Sequence, residues 1–244
     1  MNVKRPSMLF ISFRMFLVQI FSDAMLVVVC IAPLLAGLAF RFGVPFLEKL
    51  IEQYLGLYSV LSPYYLLFDL FLAILSPFML CFASSMVMLE ERDEGVGLYM
   101  AVTPAGRNGY LISRLVIPAM LSAPASAVVL LLFGLSGLSF GDSVLLSLCM
   151  PLVAMIFSLL ITSFSGNRVE GMALAKLSGI MLAALAVPFF IQSPWKYLSG
   201  FLPTFWIAEY FVASSILSAS AFFVTCLLCS LILYPRFIRK GIGC

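Results

Sequence analysis

Histidine is absent from all 244 residues, and charge is scarce: 14 Lys and Arg and 11 Asp and Glu amount to 10% of the chain. The missing imidazole excludes Ser–His and Cys–His catalysis, His-ligated zinc and His-ligated haem. It also removes the intramembrane proteases that depend on them. The shortage of charge excludes more. The chain is 63% hydrophobic with a mean hydropathy of +1.14, whereas a soluble domain is roughly 45–50% apolar and about 25% charged. A water-soluble fold cannot hide that much apolar surface. The chain is therefore an integral membrane protein, and disorder, nucleic-acid binding and soluble enzyme folds drop out. Six cysteines remain, five of them (Cys30, Cys81, Cys149, Cys226, Cys229) in apolar stretches, where a free thiol behaves as a small hydrophobe. Cys226 and Cys229 have no further ligand nearby, so no metal site is expected.

What is present is a series of long uncharged runs: 24–40, 70–89, 115–141, 143–167, 177–195 and 210–235. A bilayer-spanning helix needs about 20 apolar residues, and continuous rather than alternating runs favour helices over a barrel. Six spans are expected, near 24–42, 63–88, 114–135, 143–164, 173–193 and 211–234. They make a single all-α transmembrane domain over 1–244. Lys4, Arg5, Arg14, Arg92, Arg107, Arg114, Arg168, Lys176, Arg236, Arg239 and Lys240 fall on the side that holds both termini, and only Arg41, Lys49 and Lys196 on the other. The positive-inside rule makes that first side cytoplasmic. Residues 7–22 read as a cytoplasmic-face helix before the first span, with Pro6 suited to its first turn.

The loops carry the remaining information. Residues 43–62 form an outer loop with Glu48, Lys49 and Glu52 on a short helix. The loop at 194–210 holds both tryptophans, Trp195 and Trp206, with Tyr197, Phe201, Phe205 and Tyr210. It is too apolar for a solvated loop and reads as an interfacial or re-entrant hairpin, since aromatics favour the membrane interface. The inner loop at 89–113 is the densest in charge: Glu90, Glu91, Arg92, Asp93, Glu94, then Arg107. Its acids precede Val96, Leu98, Tyr99 and Met100 on a short helix near 91–101, a mixture suited to docking in a partner's groove. The inner loop at 166–171, GNRVEG, has glycines at phosphate-loop spacing, but no Gly-Lys pair occurs anywhere in the chain. The lysine that reaches the phosphates is missing, so the chain does not hydrolyse ATP by itself.

Residues 90–114 resemble the type-two ABC exporter permeases, the six-span membrane subunits of bacterial ATP-driven exporters. Glu94 and Gly95 match that family's glutamate–glycine pair, Thr103 and Pro104 its Thr-Pro, and Arg107, Tyr110 and Arg114 the start of its third span; Val96 departs from the usual threonine or serine. The second inner loop (Asn167, Arg168, Val169, Glu170, Gly171) and the aromatic hairpin are similar to family elements as well. The resemblance implies that Glu90, Glu91, Glu94, Gly95, Thr103, Pro104 and Arg107 belong to a coupling helix docked on an ATPase. It implies a second permease chain, identical or homologous, and separate ATPase subunits that bind ATP and magnesium, with no cofactor on this chain. It places the protein in a bacterial plasma membrane as a transport subunit rather than an enzyme, of the kind that serves multidrug efflux.

Three residues are candidates for a substrate pathway. Asp69 is the acid well inside a span, roughly 10 Å from its outer end at about 1.5 Å per residue, where an ionisable group points to function by default. The competing reading is a structural bond to Ser62 or Tyr65. Glu209 and Trp206, before the sixth span, either guard the outer exit or anchor the interface. An apolar interior with one buried acid suits a lipophilic drug-like or natural-product substrate. The alternative is a six-span secondary transporter or membrane assembly protein without an ATPase, although secondary carriers characteristically show internal repeats and none is evident.

Overall fold

Residues 8–95, 106–177 and 179–241 are described by the computed structural model, which is all-helical, with no strand among the described residues. Six stretches are long and apolar enough to cross a membrane: Ala24–Leu55, Ser62–Asp93, Gly109–Phe133, Phe140–Phe164, Arg168–Phe190 and Ile216–Ile238. A preceding helix, α1 (Met8–Ser22), matches the segment expected before the first span. Asp23 separates the two by capping α2 (Ala24–Leu38), its carboxylate accepting from the Met25 N–H at 2.8 Å; an aspartate in this position satisfies a donor that the helix start leaves free.

The inner pair of the bundle is α4 (Tyr65–Asp93) and α7 (Phe140–Phe164), which pack along much of their length. Phe78 stacks on Phe157 with ring centroids 3.7 Å apart, and the buried Ser85 and Ser158 hydroxyls meet at 2.7 Å. Helix α6 (Ile117–Phe133) leans on both, while α2 and α12 (Ile216–Gly241) lie outside. Leu34, Leu35, Val128, Leu131, Leu148, Leu227 and Leu231 are all exposed. Apolar surface on this scale is what lipid covers.

Two prolines, Pro77 and Pro118, are compensated across the interface. Proline has no N–H for the carbonyl four residues back. Pro77 withholds a donor from Ala73, and the Ser126 hydroxyl of α6 supplies one at 2.6 Å. Pro118, in the first turn of α6, withholds one from Arg114, and Ser84 of α4 donates to that carbonyl. Each span therefore repairs the other's break, which explains why Ser84 and Ser126 are buried in so apolar a core.

Four boundaries differ from the sequence expectation. The first span does not end near 42: a π-helical turn at Ala39–Gly43 carries it into α3 (Val44–Leu55), and Gly56, with φ +65°, stops it. The expected short helix with Glu48, Lys49 and Glu52 exists, but it continues the span. The third span begins at Gly109, within α5 (Gly106–Leu111) and before the expected 114, and includes a π-helical turn at Ile112–Val116. The fifth is broken into α8 (Arg168–Leu177), α9 (Gly179–Ala183) and α10 (Val187–Phe190). Tight turns close at Leu185 and Ala186, just before Pro188, which cannot donate to Ala184. The sixth begins at Ile216, after Ser214 in the left-handed conformation with φ +50°. The aromatic segment re-enters the bundle. A 3-10 turn (Pro194–Phe201) leads to α11 (Pro203–Ala213), whose first turn is buried and bonded from Thr204 Oγ1 to the Met181 carbonyl at 2.6 Å, in the middle of the fifth span.

Candidate functional site: an ionic knot at one end of the bundle

The end of α4 reads Glu90-Glu91-Arg92-Asp93, and four consecutive helical positions point in four directions. Glu91 reaches the start of the third span, Arg92 the end of α7, and Glu90 and Asp93 both reach Arg168 at the start of α8. Glu91 turns inward and is 1% exposed; its carboxylate takes two bonds from the equally buried Arg114, one from Nε at 3.1 Å and one from Nη2. The same guanidinium lies 5.3 Å from the Phe16 ring and 3.4 Å from Gln19 Oε1, so α1 is held to the knot as well. Tyr110 joins Glu91 by a side-chain hydrogen bond. A bidentate carboxylate–guanidinium pair of this kind fixes direction as well as charge.

Arg92 points toward α7 and donates to the Ser165 carbonyl at 2.8 Å and to that of Thr162 at 3.1 Å. It supplies donors, and a positive charge, to the carbonyls that a helix end leaves without partners. Asp93 accepts from the Arg168 N–H at 3.4 Å. Glu90, half exposed, lies 3.4 Å from Arg168 Nη1, whose Nη2 pairs with Asp23. The Arg168 hydrogen bond, reinforced by the Met25 N–H and opposed by desolvation, holds the Asp23 carboxyl below the usual carboxylate range. Arg236 closes the perimeter, its guanidinium 5.3 Å from the Phe164 ring. The second half of α1 and the last turns of α12 therefore both reach this end of the bundle.

The second inner loop is built as a capping box. Asn167 Oδ1 accepts from the Glu170 N–H at 2.9 Å, and Glu170 Oε2 reaches back to the Gly166 N–H at 2.6 Å. Gly171 then lets α8 press on α4: a Cβ there would collide with Leu89 and come within 3.0 Å of Met86 Cε.

Of the residues expected on a coupling helix, Glu94 stands exposed in the turn after α4, and Gly95 has φ +72°. The Glu94 N–H bonds to the Glu90 carbonyl at 3.0 Å and the Gly95 N–H to that of Arg92 at 3.1 Å, a glycine C-terminal stop. Glu91 departs from the expectation: it is a buried strut, out of reach of any partner's surface. The helix expected at 91–101 begins inside α4 and otherwise falls largely outside the described residues, as do Thr103, Pro104 and the Arg107 side chain. Asp23, Arg92 and Arg114 complete the knot, although sequence alone marks Arg92 and Arg114 only as loop and span-entry charges and gives Asp23 no role. Their signal was a charge at a helix end, legible only once the facing ends were known.

At the opposite end, Asp69 is 1% exposed and accepts from the N–H groups of Leu135 at 2.8 Å and Ser136 at 2.9 Å and from the Ser136 hydroxyl. Arg41 donates to the adjacent Gly134 carbonyl at 2.8 Å. The expected partners Ser62 and Tyr65 bond instead to Glu48. A small cavity of about 130 Å³ lies beside Asp69. Glu209, also buried, pairs with Lys196 at 2.5 Å, and Trp206 Nε1 donates to the Gly200 carbonyl at 2.7 Å. These two bonds fix the re-entrant element.

A family model described as "Rv2686c-like: Fluoroquinolones export permease protein Rv2686c-like" matches residues 16–237. Two proteins of Mycobacterium tuberculosis, "Fluoroquinolones export permease protein MT2760" and "Fluoroquinolones export permease protein Rv2686c", are each 23% identical over 197 residues, which is 80% of this chain and 78% of theirs. No solved structure matches.

Proposed function

The chain belongs to the Rv2686c-like fluoroquinolone export permease family, and on that premise we propose that it is the transmembrane subunit of an ATP-driven exporter in a bacterial plasma membrane. Two such chains, identical or homologous, form the pathway. Separate ATPase subunits supply ATP hydrolysis with magnesium. In this scheme the ionic knot and both termini face the cytoplasm, a reading supported by the excess of basic residues on that side.

One observation carries the reading. Asp93 and Glu94 are exposed at the tip of α4, while Glu91, Arg92 and Arg168 tie that tip to α1, the start of α2, the start of the third span, and the α7–α8 junction. A push on an untethered tip would be dissipated locally. A push on this one is delivered to four membrane elements together, which is what a nucleotide-driven two-state transition needs. In this scheme the re-entrant element, held by Lys196 and Glu209, closes the outer end beside Trp206. The substrates are lipophilic drug-like compounds, in keeping with the family and with the scarcity of charge inside the bundle.

The test is co-purification with a Walker-motif ATPase encoded in a neighbouring reading frame, together with nucleotide-dependent efflux in inverted vesicles. Glu94→Arg is expected to abolish both while the permease still accumulates normally. Co-purification unchanged by Glu94→Arg and by deletion of 90–100 would sink the docking. Efflux driven by an ion gradient without nucleotide would replace the ATP-driven reading.

A further inference from the structure

Near the middle of the second span, Ser76 is 3% exposed and its hydroxyl has no hydrogen-bond partner among the described residues. Ser165 Oγ, Arg92 Nε and Glu209 Oε2 share that state among the described residues, but they belong to span ends or to the re-entrant element, whereas Ser76 sits beside a cavity in mid-span, where most hydroxyls are bonded. Ser85, Thr162, Thr225 and Ser230 all donate back to the carbonyl four residues earlier, and Ser84 and Ser126 donate across to the Arg114 and Ala73 carbonyls. A buried polar group left unpaired costs free energy and calls for an explanation.

Ser76 lines a cavity of about 350 Å³ at the meeting of α2, α4 and α6, bounded by Cys30, Pro33, Leu34, Leu80, Pro124 and Val128 among others. Its rim residues Leu34 and Val128 are 44% and 51% exposed, so it opens sideways into lipid rather than to either aqueous face. No charged side chain lines it. The volume is within the roughly 300–1,000 Å³ of small-molecule sites, which characteristically join apolar walls to a few placed polar groups. A second groove of about 480 Å³, between the start of the third span (residues 111–116), α7 and α12, differs on the decisive point: its serine, Ser230, is already bonded to the Cys226 carbonyl at 2.7 Å. An acyl chain satisfies that groove. It leaves the Ser76 hydroxyl unpaired.

We propose that the α2–α4–α6 cavity is a lateral binding site for an uncharged, lipophilic molecule bearing a carbonyl-type acceptor, taken from the bilayer and held by the Ser76 hydroxyl. The proposal deepens the export reading and rests on it only for the ligand's subsequent fate. Pro33 and Pro124 form two walls of the site and cannot complete their helices' hydrogen bonding, so the pocket sits where α2 and α6 are easiest to bend and its occupancy is coupled to their shape.

Benzophenone, an apolar ketone that inserts into nearby C–H bonds when irradiated, is a direct probe. The purified chain in lipid nanodiscs, without nucleotide or ATPase, is labelled over a concentration series and mapped by mass spectrometry. Saturable labelling is expected on peptides containing residues 30–34, 76–80 and 124–129. Ser76→Ala should weaken it about fivefold, the loss of one hydrogen bond, and Ala125→Phe should abolish it, with Ala125→Leu as a gentler filling variant if the first fails to fold. Ser230→Ala should leave it unchanged. Labelling that does not saturate, that spreads over the lipid-facing helices, or that is equal in Ser76→Ala and the filling variants would overturn the proposal. Loss of nucleotide-dependent export with labelling intact would count against the ATPase reading alone, whereas export intact with labelling lost would count against the cavity alone.

Discussion

Glu91 and Arg114 form a bidentate ion pair in which each residue is 1% exposed, one at the end of the second span and the other at the start of the third. Two charges removed from water repay their desolvation only when both are present, and loss of one partner from such a pair typically costs about 3–5 kcal/mol. Glu91→Gln and Arg114→Leu should each lower the melting temperature of the detergent-solubilised protein strongly. Arg114→Lys should recover only part, because an ammonium cannot reproduce the two-pronged contact. The double replacement Glu91→Leu with Arg114→Leu should be milder than either single variant. A mild Glu91→Gln would mean that the pair is not a strut.

The repair of Pro77 by Ser126 makes a sharper prediction, because it can be undone from either side. Ser126→Ala leaves the Ala73 carbonyl without the donor now 2.6 Å away, at a cost of about 1–3 kcal/mol. Pro77→Ala restores a helical N–H to the same carbonyl. Ser126→Ala should therefore cost less in a Pro77→Ala background than in the wild type. Additive losses in a double-mutant cycle would show that the serine serves some other acceptor.

How far the sequence led can be judged from these same residues. The spans were legible because a bilayer demands an apolar run of fixed length, and the six expected stretches overlap the six observed. The expected docking tip at Glu94 and Gly95 has a local cause, since Gly95 adopts a left-handed φ that stops α4. What was not legible was pairing across the bundle. Glu91 and Glu94 look alike in a charge run; whether one faces inward depends on where Arg114 enters. The break in the fifth span and the continuation of the first through a π-helical turn likewise depend on packing rather than on local composition: charged Arg41, Glu48, Lys49 and Glu52 do not end the first helix, and the apolar run after Lys176 does not keep the fifth whole.

The Asp23–Arg168 pair predicts a dependence on pH. Arg168 lowers the Asp23 carboxyl below its ordinary value of 3.8. A carboxyl whose pKa is depressed by folding contributes stability that is present above the unfolded value and lost as pH falls through the folded one. The pair's contribution should thus be complete and independent of pH near neutrality, and the melting temperature should decline below about pH 4 as that contribution is lost. Asp23→Asn should already be less stable at neutral pH and should lose less than the wild type on acidification. Parallel acid profiles for the two proteins would show that the pair contributes nothing. Half-exposed as it is, the pair's effect should also shrink at high salt.

Asp69 separates a structural from a transport role for a charge near the membrane surface. Its carboxylate takes three bonds from the chain that follows α6, at Leu135 and Ser136, while Arg41 holds the neighbouring Gly134 carbonyl. With both oxygens used in this way, the carboxylate works as a staple between the second span and the turn into α7. Asp69→Asn keeps one acceptor oxygen and replaces the other with a donor that faces donors. Accumulation and melting temperature should therefore fall, and export should fall in the same proportion, so that export per folded molecule is unchanged. Ser136→Ala, which removes one of the three donors, should produce a smaller loss of the same kind. If Asp69→Asn accumulates and melts as the wild type does but exports nothing, the carboxylate belongs to the pathway, and the small cavity beside it is where the substrate passes.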